Sequence, residues 1–546
     1  MKIMAGQGAG CCIRRVQFLS MPLSIMTSGL LIVLAVLAIA QLVYQRFARS
    51  KGLPLPPGPP AEPFLGHLRV VPSDHPEFEY AKWGKEYDSD VLHFSVLGRD
   101  IVVLNSVEAA RDLMDKKGAN FADRPRFALF EVMGWGITLT FLRWSPRFKL
   151  HRKLLQQSFT QSACRSYRPI QVEESQRAVK AIFARPKDWE LLLRQFSQAV
   201  VLRIGFGIPV QEKDDPYVKM AIDVEEATGE GGVPGASVVD MFPKLAYTPS
   251  FLARLSSLLS PLVHARRTKS SIQRLHDAPW AAVEPSIRSG KVDNPSFVHT
   301  HFARYLSNQS QGKPNETTIE DIKGAAGAIS IAGGNTTWST IIVCILNLIL
   351  HPEVQVRLRK EIDSVLGIDE NGEVARLPTF EDRPEMKYLE MVIQETTRWA
   401  PLSPLGVPHA TLKEEEYKGY RIPAGSVVYA NAWAMSRDER HYSSPEDFIP
   451  ERYAPKEEGG RGEPLPDGPF GFGRRVCPGQ YLALSGVYIL IATLVATTDL
   501  RCPIDANGEK VVPRVSFSNG LSGVPDSFGC DFVPRSDRAK QLLEEL

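Results

Sequence analysis

Hydrophobic positions along the chain recur mostly at helical spacing, with strand-like runs early on and again after residue 400. Val91–Val96 and Ile101–Leu104 flank Leu97-Gly-Arg-Asp100 and predict a hairpin. Ser106 stands where an N-cap belongs, before a helix predicted to run to Lys117. Thr318, with Asp321 three residues on, has the spacing of a capping box. The apolar run behind it predicts one helix from Ile319 to Leu350, roughly 48 Å long at 1.5 Å per residue. Pro384 opens another predicted helix that stops before Pro401, and Tyr481–Leu490 is an apolar helical run. Residues 406–411 and 420–431 read as short strands with turns. The pattern predicts a mainly α fold with small β-sheets (α+β), without internal repeats.

The first sixty residues depart from this pattern. Residues 21–44 contain no charged side chain, and Leu30–Ala40 is continuously apolar. About 20 such residues span a bilayer, so 21–44 predicts one transmembrane anchor behind an N-terminal tail, 1–20. A cleaved signal peptide would have a shorter apolar region, and Gln41-Leu-Val-Tyr-Gln-Arg46 is a poor cleavage site. Residues 45–60 form a linker whose Leu53-Pro-Leu-Pro-Pro-Gly-Pro-Pro60 is stiff and short of hydrogen-bond donors, and 61–546 form the globular body. With 64 basic and 62 acidic residues the net charge is +2, which gives nucleic acid no reason to bind. The seven cysteines are odd in number and scattered, as expected in a reducing compartment.

Candidate chemistry concentrates in Phe470-Gly-Phe-Gly-Arg-Arg-Val-Cys-Pro-Gly479. Gly471 and Gly473 permit a tight bend that holds Cys477 close to the start of an apolar helix. Backbone N–H groups, the helix N-terminus and Arg475 would each favour a thiolate there, a soft anionic metal ligand. A buried free cysteine in a turn is the plainer reading. Elsewhere, Ala332-Gly-Gly-Asn-Thr-Thr337 sets two glycines inside the long helix, at about 1 kcal/mol each relative to alanine. That cost implies close approach by something flat, a local bulge, or contact with a neighbouring helix. Glu395 and Arg398 share a helix face at i, i+3, and Phe148–Leu155 begins a basic amphipathic helix.

The loop matches Phe-x-x-Gly-x-Arg-x-Cys-x-Gly at Phe470, Gly473, Arg475, Cys477 and Gly479. It thereby resembles the haem-binding loop of the cytochrome P-450 family, in which a cysteine thiolate is the axial ligand of haem iron. The resemblance implies haem b as cofactor and Cys477 as its ligand. It implies that Arg152 holds a haem propionate, with Phe148 at a position usually held by tryptophan and Trp144 one turn earlier. His409 lies where the family places another propionate partner. Ala332, Gly333 and Thr336 match the family's oxygen-binding stretch, while Asn335 replaces the usual acid. Glu395 and Arg398 match its Glu-x-x-Arg helix, and Arg452 in Pro450-Glu-Arg-Tyr453 completes a structural cluster. The stretch 229–249 corresponds to the loop that roofs the substrate cavity.

The implied function is insertion of one oxygen atom from O2 into an apolar small molecule, with electrons from an NADPH-dependent flavoprotein reductase. The implied setting is the endoplasmic reticulum membrane, with a cytosolic catalytic domain resembling fungal secondary-metabolism members, of terpenoid or polyketide type. Two other classes remain open. Asn335 leaves room for a haem-thiolate isomerase or dehydratase acting without O2, and the third class is a haem-binding protein without turnover.

Overall fold

Thr318 starts the longest helix with reciprocal bonds. Its Oγ1 accepts the Asp321 N–H at 3.1 Å, and its own N–H donates to Asp321 Oδ2 at 3.0 Å. The chain is described by a computed structural model that covers residues 52–545 apart from 230–236, 292–293 and 371. The anchor expected at 21–44 lies outside these residues. Within them, the helices that position the site are α1 (Val107–Ala110), α2 (Pro146–Ser158), α3 (Trp189–Phe206), α4 (Pro216–Gly229), α5 (Ile319–Leu350), α6 (Lys387–Trp399) and α7 (Gln480–Thr497).

Helices α5 and α7 are apolar around most of their circumference, which marks them as interior helices. Each is long and apolar enough to cross a membrane, yet 67% and 78% of their most apolar windows are buried within the protein. Leu193 and Phe196 of α3, Ile341 and Ile345 of α5, and Ile489 and Leu490 of α7 belong to one continuous core. A small sheet builds a second core. Strands β1 (Val91–Val96), β2 (Arg99–Leu104), β3 (His409–Ala410) and β4 (Val427–Ala430) lie in the order β1-β2-β4-β3. The β1/β2 and β4/β3 pairs are antiparallel and β2/β4 is parallel. Residues 52–55 and Lys418–Arg421 form a separate small unit, in which the Arg421 N–H donates to the Pro54 carbonyl at 2.8 Å.

The structure corrects two boundaries. The hairpin turn is only Leu97-Gly98, both at positive φ, so β2 begins at Arg99 rather than after a four-residue loop. The helix expected from Pro384 begins at Lys387. Before it, Asp382 accepts the Thr379 N–H at 2.8 Å and holds the chain in turns. Ser106 caps α1 as expected, and the segment continues as a π-helical turn over Arg111–Lys116.

The Glu395 carboxylate is fully buried and holds α6 to the segment 443–453. Arg398 donates to it twice at 2.8 Å, Arg452 Nε at 3.0 and 3.1 Å, and Tyr453 Oη at 2.8 Å. Arg398 also donates to the carbonyls of Ser436, Pro445 and Asp447. This is a satisfied buried network, unlike the weak exposed pair that i, i+3 spacing commonly produces.

Candidate active site

The Cys477 loop is closed by its own backbone, with the Cys477 N–H donating to the Phe470 carbonyl at 2.8 Å. Gly473 has φ +61°, and a Cβ there would stand 1.9 Å from the Met114 carbonyl oxygen. Its N–H donates to Asp115 Oδ1 at 2.5 Å, so glycine is required both for conformation and for close approach to the π turn after α1. Gly479 then caps α7. The N–H groups of Gly479 and Gln480 reach the Cys477 sulfur, and Arg152 adds a positive charge. Burial outweighs all three and pushes the thiol pKa up, opposite to the direction expected from the loop alone. The cation acting on the sulfur is Arg152 rather than Arg475.

Cys477 lines a cavity of about 630 Å³ together with Arg152, Arg475, His409, Asn335 and Thr336. The fold thus gathers into one space residues spread over more than 300 positions of sequence. Arg152, on α2, donates to the Val476 carbonyl at 2.5 Å. Arg475 donates to the Ala122 and Leu142 carbonyls at 2.5 and 2.9 Å, and its guanidinium lies 4.0 Å from the centre of the Phe148 ring. Phe148 therefore supports Arg475 by a cation–π contact, where an indole would have offered a donor. Trp144 packs against Phe148 at 5.4 Å between ring centres, tilted by 45°, without lining the cavity.

Sequence reasoning missed Arg124. It lines the same cavity and donates to the carbonyls of Val407 and Pro408 at 2.5 and 2.9 Å. Burial and Arg475 depress its pKa, against the pull of Asp123. Arg475 is pushed down to about 9 by burial, with Asp123 opposing and Arg152 adding to the shift. His409 is buried rather than on the surface, and its Nδ1 is 2.7 Å from the Phe121 carbonyl. Burial, Arg124 and Arg475 keep its imidazole neutral. The only clue to Arg124 in the sequence is an Asp-Arg pair in Phe121-Ala-Asp-Arg-Pro-Arg-Phe127, a stretch bounded by aromatic residues.

To the same cavity α5 contributes Ala332, Asn335 and Thr336. Thr336 Oγ1 donates to the Ala332 carbonyl at 2.5 Å, and Asn335 Oδ1 accepts from Gln198 Nε2 of α3 at 3.4 Å. The adjacent glycines serve helix packing. A Cβ on Gly333 would meet Val201 at 2.6 Å and one on Gly334 would meet Gln198 at 2.1 Å, both on α3. There is no bulge, since α5 is continuous through the pair. Gln198 is a second residue that the sequence did not expose.

The sequence model of the cytochrome P450 family matches residues 56–514. A cytochrome P450 monooxygenase of Armillaria gallica is 32% identical, the alignment covering 91% of this chain and 95% of that protein. One from Coprinopsis cinerea is 31% identical, covering 95% and 99%. A tryptamine 4-monooxygenase of Psilocybe cyanescens is 31% identical, covering 93% and 98%. A zebra fish cytochrome P450 solved with abiraterone has the same fold, with a TM-score of 0.66 over 84% of this chain and all of that one, at 23% identity. The fold and site define a haem enzyme that incorporates oxygen from O2 into small molecules with electrons from a redox partner. This chain belongs to the cytochrome P450 family, whose cofactor is haem b.

The residues present fit that cofactor. Arg124, Arg152 and Arg475 are buried around the cavity, with Asp123 as the acid acting on Arg124 and Arg475. Asp123 is itself held by the Trp144 N–H at 2.7 Å and by Arg143 at 2.5 Å. The three buried guanidiniums share one carboxylate that is also paired with Arg143, which leaves the cluster net positive, and a porphyrin brings two propionates.

Proposed function

We propose that the chain is a membrane-anchored haem-thiolate monooxygenase in which Cys477 ligates the iron. Arg124, Arg152 and Arg475 hold the propionates, and His409 joins them by taking up a proton when the anions are in place. The observation that carries this reading is the convergence of Cys477, the three arginines and Thr336 on one cavity. When bound, the haem supplies activation of O2, with the thiolate donating electron density that favours O–O cleavage. The protein's share is to keep the thiol dry, position the substrate against Ala332 and Thr336, and deliver protons. Thr336 can turn its hydroxyl from the Ala332 carbonyl toward the cavity. Asn335 cannot ionise, so it orients rather than donates charge. Glu395, Arg398 and Arg452 act structurally, away from the cavity.

The substrate is an apolar small molecule, consistent with the Phe130, Trp135, Phe141 and Leu405 side chains that line the cavity. Electrons come from an NADPH-dependent flavoprotein reductase at the endoplasmic reticulum, and the role is in secondary metabolism, as the resemblance of the sequence to fungal members implies. Residues 21–44 anchor the chain and 45–60 link that anchor to the catalytic domain, 61–546. Exposed apolar side chains at Phe242, Tyr247, Phe251, Leu255 and Leu258 support contact of this edge with lipid. The deciding experiment is the carbon monoxide spectrum of the reduced protein. The red-shifted Soret band diagnostic of a thiolate ligand is expected and should vanish in Cys477→Ser. Its persistence in that variant would assign the iron to another cysteine.

A further inference from the structure

Glu225, on α4, is the only carboxylate lining the cavity among the described residues. Its Oε2 accepts from Arg194 Nη1 at 2.6 Å. Arg194 comes from α3 and lies 3.8 Å from the centre of the Trp338 ring on α5, so three helices fix the carboxylate in place. No donor from the described residues reaches Glu225 Oε1. Thr228, on the same helix and also at the cavity wall, uses its hydroxyl proton on the Val224 carbonyl at 2.6 Å. Glu225 and Thr228 therefore both present acceptors to the cavity. Burial raises the Glu225 pKa and Glu226 adds to the rise, against the pull of Arg194, as expected for a carboxylate short of donors.

We propose that Glu225 anchors the substrate through a hydrogen-bond donor, so that the substrate class is an apolar skeleton carrying a hydroxyl group seated at the α4 end of the cavity. This rests on the reading of the cavity as the substrate site. A hydroxyl fits better than an ammonium, because Arg194 already supplies the carboxylate with a cation. A skeleton lacking the donor would leave Oε1 desolvated and unpaired.

Two probes of nearly equal shape test this: 1-adamantanol, which donates and accepts, and 1-methoxyadamantane, which only accepts. Binding to the purified holoenzyme is measured by calorimetry. The wild type should bind the alcohol about tenfold more tightly than the ether, the range of one hydrogen bond to a charged group. In Glu225→Gln, Arg194 retains the carbonyl oxygen and the amide NH2 turns to the cavity, where both probes can accept from it, so the preference should disappear. Equal affinities in the wild type, binding of neither probe, or an unchanged preference in a folded Glu225→Gln would each overturn the proposal. Loss of the thiolate spectrum would instead count against the haem assignment, and the calorimetric comparison reads Glu225 in either case.

Discussion

Arg124, Arg152 and Arg475 carry their charges where water is scarce, and burial lowers the pKa of all three. Such a cluster is costly by itself and becomes favourable when anions arrive. Arg152→Ala should therefore reduce haem retained through purification, measured as haem per polypeptide. Losing one charge-assisted bond of about 1.5–3 kcal/mol corresponds to roughly tenfold or more in affinity. Undiminished occupancy would remove Arg152 from the site. Thr336→Ala should divert reducing equivalents to peroxide, read as product formed per NADPH consumed, while Asn335→Asp should be tolerated. Coupling that survives Thr336→Ala would reduce Thr336 to a packing residue. At this scale the Cys477 loop was legible because its fixed residues lie within ten positions, whereas burial and Arg152, which act on the sulfur from outside the loop, were not. Arg124 and Gln198 were not, because their partners lie 283 and 137 residues away and nothing in their own neighbourhoods encodes those contacts.

At the scale of elements, local signals set ends well and contacts poorly. Helix α5 begins at its capping box and ends before Pro352, as the sequence indicated. The purpose of its glycines depended on α3, which no local pattern reveals. The cap itself does more than close a helix. Asp321 also accepts from Arg147 Nε at 2.8 Å and lies 3.1 Å from His151 Nε2, both on α2, so it ties the start of α5 to the helix that carries Arg152. Burial opposes its ionisation, but Thr318, His151 and Arg147 together hold its pKa well below the ordinary value. A carboxylate depressed in this way contributes stability that is complete above the unfolded value of about 3.9 and is lost as pH falls through the folded one. Asp321→Asn should cost about 1–3 kcal/mol at neutral pH, measured by urea denaturation. The difference should shrink progressively as pH falls below about 3.9. A constant difference across pH would mean that packing, not ionisation, carries the effect.

For the whole molecule, the helical class and the small sheets were readable from periodicity, whereas the cavity was not, since it exists only between elements distant in sequence. The membrane association proposed here has two separable parts. Residues 21–44 supply an uncharged stretch long enough to span, and residues 242–258 expose Leu255 and Leu258 at 81% and 70% of their surfaces. A spanning segment resists extraction by alkali, whereas apolar side chains resting in the interface hold weakly and reversibly. The full chain should therefore stay with the membrane pellet after carbonate washing. A chain lacking residues 1–51 should keep its haem spectrum, because Cys477 and the three cavity arginines all lie beyond residue 51, and should bind membranes in buffer but be released by carbonate. Adding Leu255→Glu and Leu258→Glu to the truncated chain should leave it soluble in buffer, since two charges would have to be desolvated for the surface to dock. Retention of that variant on membranes would move the docking surface elsewhere, and carbonate release of the full chain would remove the transmembrane anchor.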